Sequence, residues 1–386
     1  MAFKGVTVLD IGSSAVTVIV GDRGVNNTFL IKGQASRAYD GFAEGQFYDE
    51  QKLADAIIGA LQEVKNICKI ETAEIYVSVP GVFIDIENRK YKITFDSPKK
   101  VKQKDVDYLF ELGREKVERE GYEVIDQGEV YFALDDGRKV QYPVGIVSSL
   151  IGGAITYFLC EKYFTDLMRK ILKLAKIKSV NFVYVGQAQA TSLISREERE
   201  NFCLIVDVGY ITSEVSLHLG NGVLAEFSED FGGGHVMTSI MRDIGLPKDD
   251  PESWRVAEML KREVKFGYIT SDRSVYTVET ETGIMKFSCD QVNDIVSTAI
   301  NPFWESVKQF IEESVPQNSL DLLKIYLTGG GLALMKGIKL HILDLIKMPI
   351  EILSPSIPLH NRADESSSFA LLGYALDKNA KKRRFW

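Results

Sequence analysis

Val6-Thr7-Val8-Leu9-Asp10-Ile11-Gly12-Ser13-Ser14-Ala15-Val16-Thr17-Val18-Ile19-Val20 reads as a β-hairpin. An apolar run enters, Asp10 stands at its end, Gly12-Ser13-Ser14 turn the chain, and Val16, Val18 and Val20 alternate on the way out. Gly12 has no Cβ, so it permits a tight turn and lets a ligand approach the backbone. N–H groups and hydroxyls at Gly12, Ser13 and Ser14 suit a phosphate. Asp10 suits a divalent cation, directly or through water.

Alone, a strand ending in Asp-x-Gly is also what a simple tight turn looks like. A second copy changes the weight of the first. It lies at Leu204-Ile205-Val206-Asp207-Val208-Gly209-Tyr210-Ile211-Thr212-Ser213-Glu214-Val215-Ser216-Leu217-His218-Leu219. The apolar run, Asp-x-Gly, the hydroxyls and the alternation all recur. Two such hairpins predict a duplicated domain. Facing halves would bring Asp10 and Asp207 together across a cleft, a place for a metal-bound triphosphate.

The chain has 386 residues, 45% hydrophobic and 26% charged, enough for two or more domains with real cores. A net charge of −8 argues against general nucleic-acid binding. Cys68, Cys160, Cys203 and Cys289 are far apart in apolar surroundings, as small buried residues of a reducing compartment would be. The histidines His218, His235, His341 and His360 show no metal-ligand spacing. Neither a secretory signal nor a transmembrane run is visible, so the expected location is cytoplasmic.

Working outward, Asp49 is placed to cap a helix from Glu50 to Asn66, followed by a strand at Glu74–Val79. Residues 81–160 read as a separable α+β insert. It has a strand at Phe83–Phe95, a turn at Ser97-Pro98, a helix at Asp105–Arg119, a hairpin around Asp135-Asp136-Gly137 and a strand at Ala154–Leu159. A helix at Lys162–Lys176, a strand at Val180–Val185 and a helix with Gln187 and Gln189 lead to the second hairpin. Beyond it come Gly232-Gly233-Gly234-His235, helices over 236–244 and 252–266, strands at 276–280 and 285–287, and a helix over 292–314 that Pro302 should kink or divide. A buried strand, Lys324–Leu327, runs into Thr328-Gly329-Gly330-Gly331, a turn bare enough to admit an adenine or ribose. A helix over 335–345, a strand over 350–353 and a last helix over 365–377 complete the pattern. Such alternation predicts an α/β protein with helices on the faces of its sheets.

With three ordered turns in hand, the chain resembles the actin/Hsp70/sugar-kinase ATPase superfamily over essentially its whole length. Asp10-Ile11-Gly12 is similar to the first phosphate loop, Asp207-Val208-Gly209 to the second, and Leu327 to Gly331 to the adenosine loop. Within the superfamily it most resembles the FtsA family of bacterial cell-division proteins. The insert stands where that family carries its small SHS2-type subdomain. Ala257 to Lys261 with Lys265-Phe266-Gly267 is similar to its adenosine-contacting helix, and Gly232 to Val236 to its Gly-Gly-Asp-His turn. Tyr142-Pro143-Val144-Gly145 and the segment from Asp40 to Asp49 also match its pattern.

The resemblance implies two actin-like (ribonuclease H-like) domains facing a nucleotide cleft. On that frame 1–80, 161–198 and 355–386 form the first domain and 81–160 its insert. Residues 199–234 and 311–354 form the second domain, and 235–310 a further subdomain. It implies ATP and Mg2+ as cofactors, with Asp10 and Asp207 holding Mg2+ through water. Gly12, Ser13, Ser14, Gly209, Thr212, Gly233, Glu258, Lys261, Gly329, Gly330 and Gly331 would bind the nucleotide, and Gln189 would position a water. The implied partners are the C-terminal peptide of FtsZ docked on 235–310, further copies in an actin-like filament, and the membrane at the division septum.

Departures from the family pattern bear on activity. Ala15 stands where a lysine is usual, Tyr210 and Ile211 replace two glycines, and Glu214 replaces an aspartate. Hydrolysis is therefore expected to be slow or absent. Where the family joins a membrane helix through a linker, the residues from Lys378 here follow the last expected helix directly, and a short basic end is expected to serve as a minimal anchor. There Lys381, Lys382, Arg383, Arg384, Phe385 and Trp386 offer charge and two rings to an anionic surface. A PilM-like component of a type IV pilus machine is the alternative reading, and a small-molecule kinase, for which no catalytic base is evident, the third.

Overall fold

The structure is a computed structural model, and it describes residues 5–25, 28–267, 274–281 and 283–384, with side chains to 380. β1 (Val6–Ile11) and β2 (Ala15–Arg23) pair antiparallel and put Asp10 opposite Thr17. β3 (Phe29–Ala38) adds to β2. The hairpin β4 (Phe42–Ala43) and β5 (Gln46–Phe47) leads to α1 (Glu50–Cys68), whose N-cap carboxylate, Asp49, accepts from Lys52 N. Leu53, Ile57, Ala60 and Val64 of α1 are buried on one stripe, against the sheet. β6 (Glu74–Val79) then runs parallel to β1.

The chain next leaves this sheet. β7 (Ile84–Lys100), α2 (Gln103–Arg114), β8 (Tyr122–Leu134), β9 (Lys139–Val140) and β10 (Val147–Glu161) make an antiparallel sheet ordered β7-β10-β8-β9. α2 covers one face and buries Val106 and Leu109 against Ile151, Ile155 and Tyr157. β7 runs through the expected turn at Ser97-Pro98. Proline is tolerated there because β7 is an edge strand and its register with β10 breaks between Ser148 and Leu150. α2 ends at Arg114 instead of Arg119, because the chain must turn at Gly121 (φ +79°) into β8. β8 begins seven residues before the expected Glu129 and pairs with β10 as far as Tyr122 opposite Glu161.

α3 (Lys162–Leu174) and β11 (Ser179–Tyr184) return to the first sheet, which reads β3-β2-β1-β6-β11. After α4 (Val185–Leu193), β12 (Cys203–Val208), β13 (Ser213–Leu219) and β14 (Gly222–Glu229) repeat the antiparallel triplet. α5 (Gly233–Ile244), α6 (Pro251–Glu263), β15 (Val275–Thr280), β16 (Gly283–Ser288) and α7 (Cys289–Ser314) follow. β17 (Lys324–Thr328), α8 (Ile338–Ile346) and β18 (Ile350–Ile352) complete a sheet ordered β14-β13-β12-β17-β18. Both sheets thus have an antiparallel triplet followed by two parallel strands, and the Asp-bearing strand is central in each. Pro302 does not divide α7; burial of Ile300, Phe303 and Trp304 around it offsets the missing hydrogen bond. β14 was not expected from the sequence.

The last helix, α9 (Ser366–Arg384), lies back on the first sheet. Phe369, Leu371, Leu372 and Ala375 bury with Val6, Val8 and Ile19. Contacts between the insert and the second sheet run through the β13–β14 turn and the start of β14. Asn221 N donates to Glu129 O at 2.8 Å, Val223 N to Thr156 Oγ1 at 3.1 Å, and Asn88 Nδ2 to Leu224 O at 3.0 Å.

Candidate functional site

Asp10 and Asp207 end the central strands of the two sheets, so equal topology brings the two turns face to face. Between them is a cleft of about 650 Å³. That volume is within the range that takes a nucleotide-sized ligand. Asp10, Gly12, Ser13, Ser14, Asp207, Gly209, Thr212, Gly233, Glu258, Lys261, Gly329, Gly330 and Gly331 all line it. Gln189 does not line it but reaches it from α4, donating from Nε2 to Asp207 Oδ2 at 2.5 Å. The side chains of Lys381, Lys382, Arg383 and Arg384, and all of Phe385 and Trp386, lie outside the described residues.

Three further residues, which the sequence did not single out, hold the first turn. Ser78 Oγ donates to Asp10 Oδ1 at 2.8 Å and accepts from Ile11 N at 2.8 Å. Ser367 Oγ donates to the same Asp10 oxygen at 2.6 Å. Tyr39 donates to Gly12 O at 2.8 Å. The β1–β6 register, Leu9 beside Val77, would have pointed to Ser78; nothing local points to Ser367 or Tyr39.

The two turns also touch each other. Ile211 N donates to Ser13 Oγ at 3.1 Å. Behind them, the glycine turns pack backbone on backbone. Gly331 N donates to Val208 O at 2.8 Å and Gly233 N to Gly209 O at 2.9 Å. A Cβ on Gly329, at φ +87°, would lie 2.3 Å from Asp207 Oδ1. The Tyr210 ring lies against Gly234, where a Cβ would meet it at 3.1 Å.

The electrostatics are those of a desolvated acidic site. Burial raises the Asp10 carboxyl above its ordinary range, with the Ser367 and Ser78 hydrogen bonds opposing. Burial likewise pushes Asp207 up to about 6; the Gln189 bond opposes this, and the charge of Asp10 adds to it. Glu214 receives Gly81 N at 2.7 Å, across the junction of the two halves, and burial pushes it up to about 8. On the opposite wall, Lys261 is buried and its Nζ pairs with Glu258 at 2.8 Å, while Arg262 pairs with the same carboxylate at 2.7 Å. Two facing carboxylates are a hard-oxygen donor set of the kind that Mg2+ takes, so residues and cavity fit a metal-bound nucleotide.

No family model matches the chain. Cell division protein FtsA of Escherichia coli K12 is 21% identical over 253 residues, 66% of this chain and 60% of the relative's own length. FtsA of Borreliella burgdorferi is 21% identical over 360 residues, 89% of this chain and 83% of the relative. The chain is thus similar in sequence to FtsA, and its fold is of the actin type. Solved structures carry the same fold. The PilM–PilN type IV pilus biogenesis complex superposes with a TM-score of 0.63 at 15% identity, covering 96% of this chain and 98% of that one. MreB5 of Spiroplasma citri bound to AMPPNP does so with 0.58 at 13% identity, covering 98% and 97%. Among its described residues the chain has no helix long and apolar enough to cross a membrane.

Proposed function

We propose that this FtsA-like chain is an actin-family adaptor of bacterial cell division that binds ATP with Mg2+ in the cleft and links FtsZ to the cytoplasmic membrane. The observation that carries the nucleotide part is the convergence of three sequence-distant turns, at Asp10, Asp207 and Gly329 to Gly331, on one cleft. Asp10 and Asp207 would hold the metal through water; Gly12, Ser13, Ser14, Gly209 and Thr212 would face the phosphates. Glu258, Lys261, Gly233 and the Gly329 turn would hold the nucleoside. Bound metal would supply counter-charge for the phosphates. Gln189 would position a water, but it is already committed to Asp207, in keeping with a slow or absent ATPase.

On this reading the FtsZ peptide docks on 235–310, copies associate as an actin-like filament, and the basic end reaches anionic lipid at the septum. FtsA similarity supports the division role. A fluorescent fusion in the source cell, with FtsZ depleted as control, tests it. An FtsZ-dependent midcell ring is expected. Diffuse or polar signal would sink it in favour of a PilM-like pilus role, which the match to PilM over nearly both whole chains supports. Equal sedimentation of the full chain and of 1–377 with anionic vesicles would rule out the tail as an anchor.

A further inference from the structure

We infer that Glu214 is a positioning residue: by reaching from β13 to the backbone just beyond β6, it sets the separation of Asp10 and Asp207 and so holds the two cleft walls about a bound nucleotide. The nucleotide part of this inference rests on the reading above; the wall-spacing part does not. Each aspartate has a short link to the Glu214 contact. On the first wall, Ser78 of β6 donates to Asp10 Oδ1 at 2.8 Å, and Gly81 stands just beyond it, past Pro80. Gly81 N then donates to Glu214 Oε2 at 2.7 Å. On the second wall, Glu214 is the ladder partner of Asp207 across β12 and β13. Asp10, Gly81, Asp207 and Glu214 all line the cleft. A continuous path of covalent and hydrogen bonds therefore joins the two aspartates through one side chain, without passing through a ligand.

The seat of that side chain is fitted to its length. A Cβ on Gly81 would lie 2.5 Å from Glu214 Oε2, and one on Gly186, at the start of α4, 2.8 Å from Glu214 Oε1. Neither glycine has a left-handed backbone, so it is the space taken by the carboxyl that calls for glycine at both positions. Ser228, the partner of Glu214 on β14, closes the seat; its Oγ would lie 2.7 Å from the same Gly81 Cβ. Glu214 itself is buried, so close packing leaves it little freedom to swing elsewhere. Aspartate, the residue that Glu214 replaces in the family pattern, is one carbon–carbon bond shorter, about 1.5 Å, and falls short of Gly81 N. Glutamine has the full reach and keeps an acceptor.

The test is a double-mutant cycle on the purified full chain with two readouts. One is stopped-flow release of a fluorescent ATP analogue in Mg2+. The other needs no nucleotide: hydrogen exchange at the amides of Gly81 and of Ile211, whose bond to Ser13 Oγ crosses between the turns at 3.1 Å. Glu214→Asp is expected to speed release, and exchange at both amides, by about tenfold. Glu214→Gln should stay within about twofold of the unaltered chain. Gly81→Ala should match Glu214→Asp, because its methyl group displaces the carboxyl, and should add nothing when combined with it. Equal behaviour of Glu214→Asp and Glu214→Gln would overturn the inference, as would single effects that simply multiply. Faster exchange at Gly81 with Ile211 unmoved would overturn it too, since the contact would then be local and the wall spacing set elsewhere. Absence of nucleotide binding to the unaltered chain would overturn the nucleotide reading, and the exchange cycle would still decide the wall spacing. Where Glu214→Asp fails to fold, Gly81→Ala is read alone, and unchanged Ile211 exchange in it overturns the inference.

Discussion

Ser367 donates its hydroxyl to Asp10 Oδ1 at 2.6 Å, joining positions 357 residues apart in the chain. The first turn of α9 therefore helps to hold the first cleft turn, and the helix that ends the described chain is part of the site. Ser367→Ala removes a hydrogen bond to a carboxylate and leaves Ser78 as the donor to that oxygen. The expected cost is about 2 kcal/mol of folding stability. Because that bond lowers the Asp10 pKa, its loss should raise the pKa further. Urea denaturation reads the first effect and carboxyl NMR titration the second; an unmoved Asp10 titration would refute the coupling.

Much of this architecture is legible before any coordinates. The two Asp-x-Gly hairpins announce themselves because a strand that ends in a tight turn has a local signature, and the glycine turn after Lys324–Leu327 has another. Elements decided by distant partners are not legible. β14 is a strand because β13 gives it a ladder, with Val223 buried in the first sheet's core and Phe227 packed against the second's, and its run of Glu226, Ser228 and Glu229 hides that. β8 extends back to Tyr122 because β10 pairs with it, although the sequence there is charged. Ser367 reaches Asp10 only once α9 has folded back on β1. Glu214 could be picked out as a change from a familiar motif, but its contact with Gly81 N could not.

Burial, which that contact only partly opposes, makes Glu214 a source of pH dependence. Burial raises it from 4.5 to about 8, and raises Glu226 to about 7 and Asp207 to about 6. An acid with a raised folded-state pKa keeps a proton that the unfolded chain has released. Its contribution is intact below the unfolded value and lost as pH rises towards the folded one. Glu198, lowered to about 2 by Lys324 and Ser195, has the opposite sign, but its gain is complete by about pH 4.5. The melting temperature should therefore fall between pH 5 and 8.5. Glu214→Gln keeps an acceptor for Gly81 N and cannot ionise, so it should flatten the fall. Identical slopes in the two proteins would reject Glu214 as the source.

Gly329 is held at φ +87° with Asp207 Oδ1 and Val208 O each 2.3 Å from where a Cβ would be. Both neighbours belong to the central strand of the second sheet, so neither can yield cheaply. Gly329→Ala should cost about 3 kcal/mol or more. Gly137, also at positive φ but with nothing within 4 Å of its would-be Cβ, is the control. Gly137→Ala should cost about 1 kcal/mol, from backbone strain alone. Equal costs in equilibrium denaturation would mean that the close approach to Asp207 is not what requires glycine.

Asn221 sits at the tip of the β13–β14 turn, where the insert meets the second sheet. Its Nδ2 donates to Glu129 Oε1 at 2.5 Å and its Oδ1 accepts from Arg199 Nη2 at 2.8 Å. Its carbonyl takes Gln187 Nε2 at 2.6 Å, and a Cβ on the facing Gly128 would lie 2.0 Å from that oxygen. The turn is thus seated in the insert by side-chain and backbone contacts together. Asn221→Ala removes only the side-chain half and strands the Arg199 and Glu129 groups. A loss of about 2 kcal/mol is expected, with faster amide exchange in β8 and in the β13–β14 turn and unchanged exchange in α1. Because β13 also carries Glu214, loosening this seat should make the cleft residues exchange faster too. Exchange that rises in the turn alone, with β8 and the Gly81 amide unaffected, would mean that the insert and the cleft are not mechanically joined through Asn221.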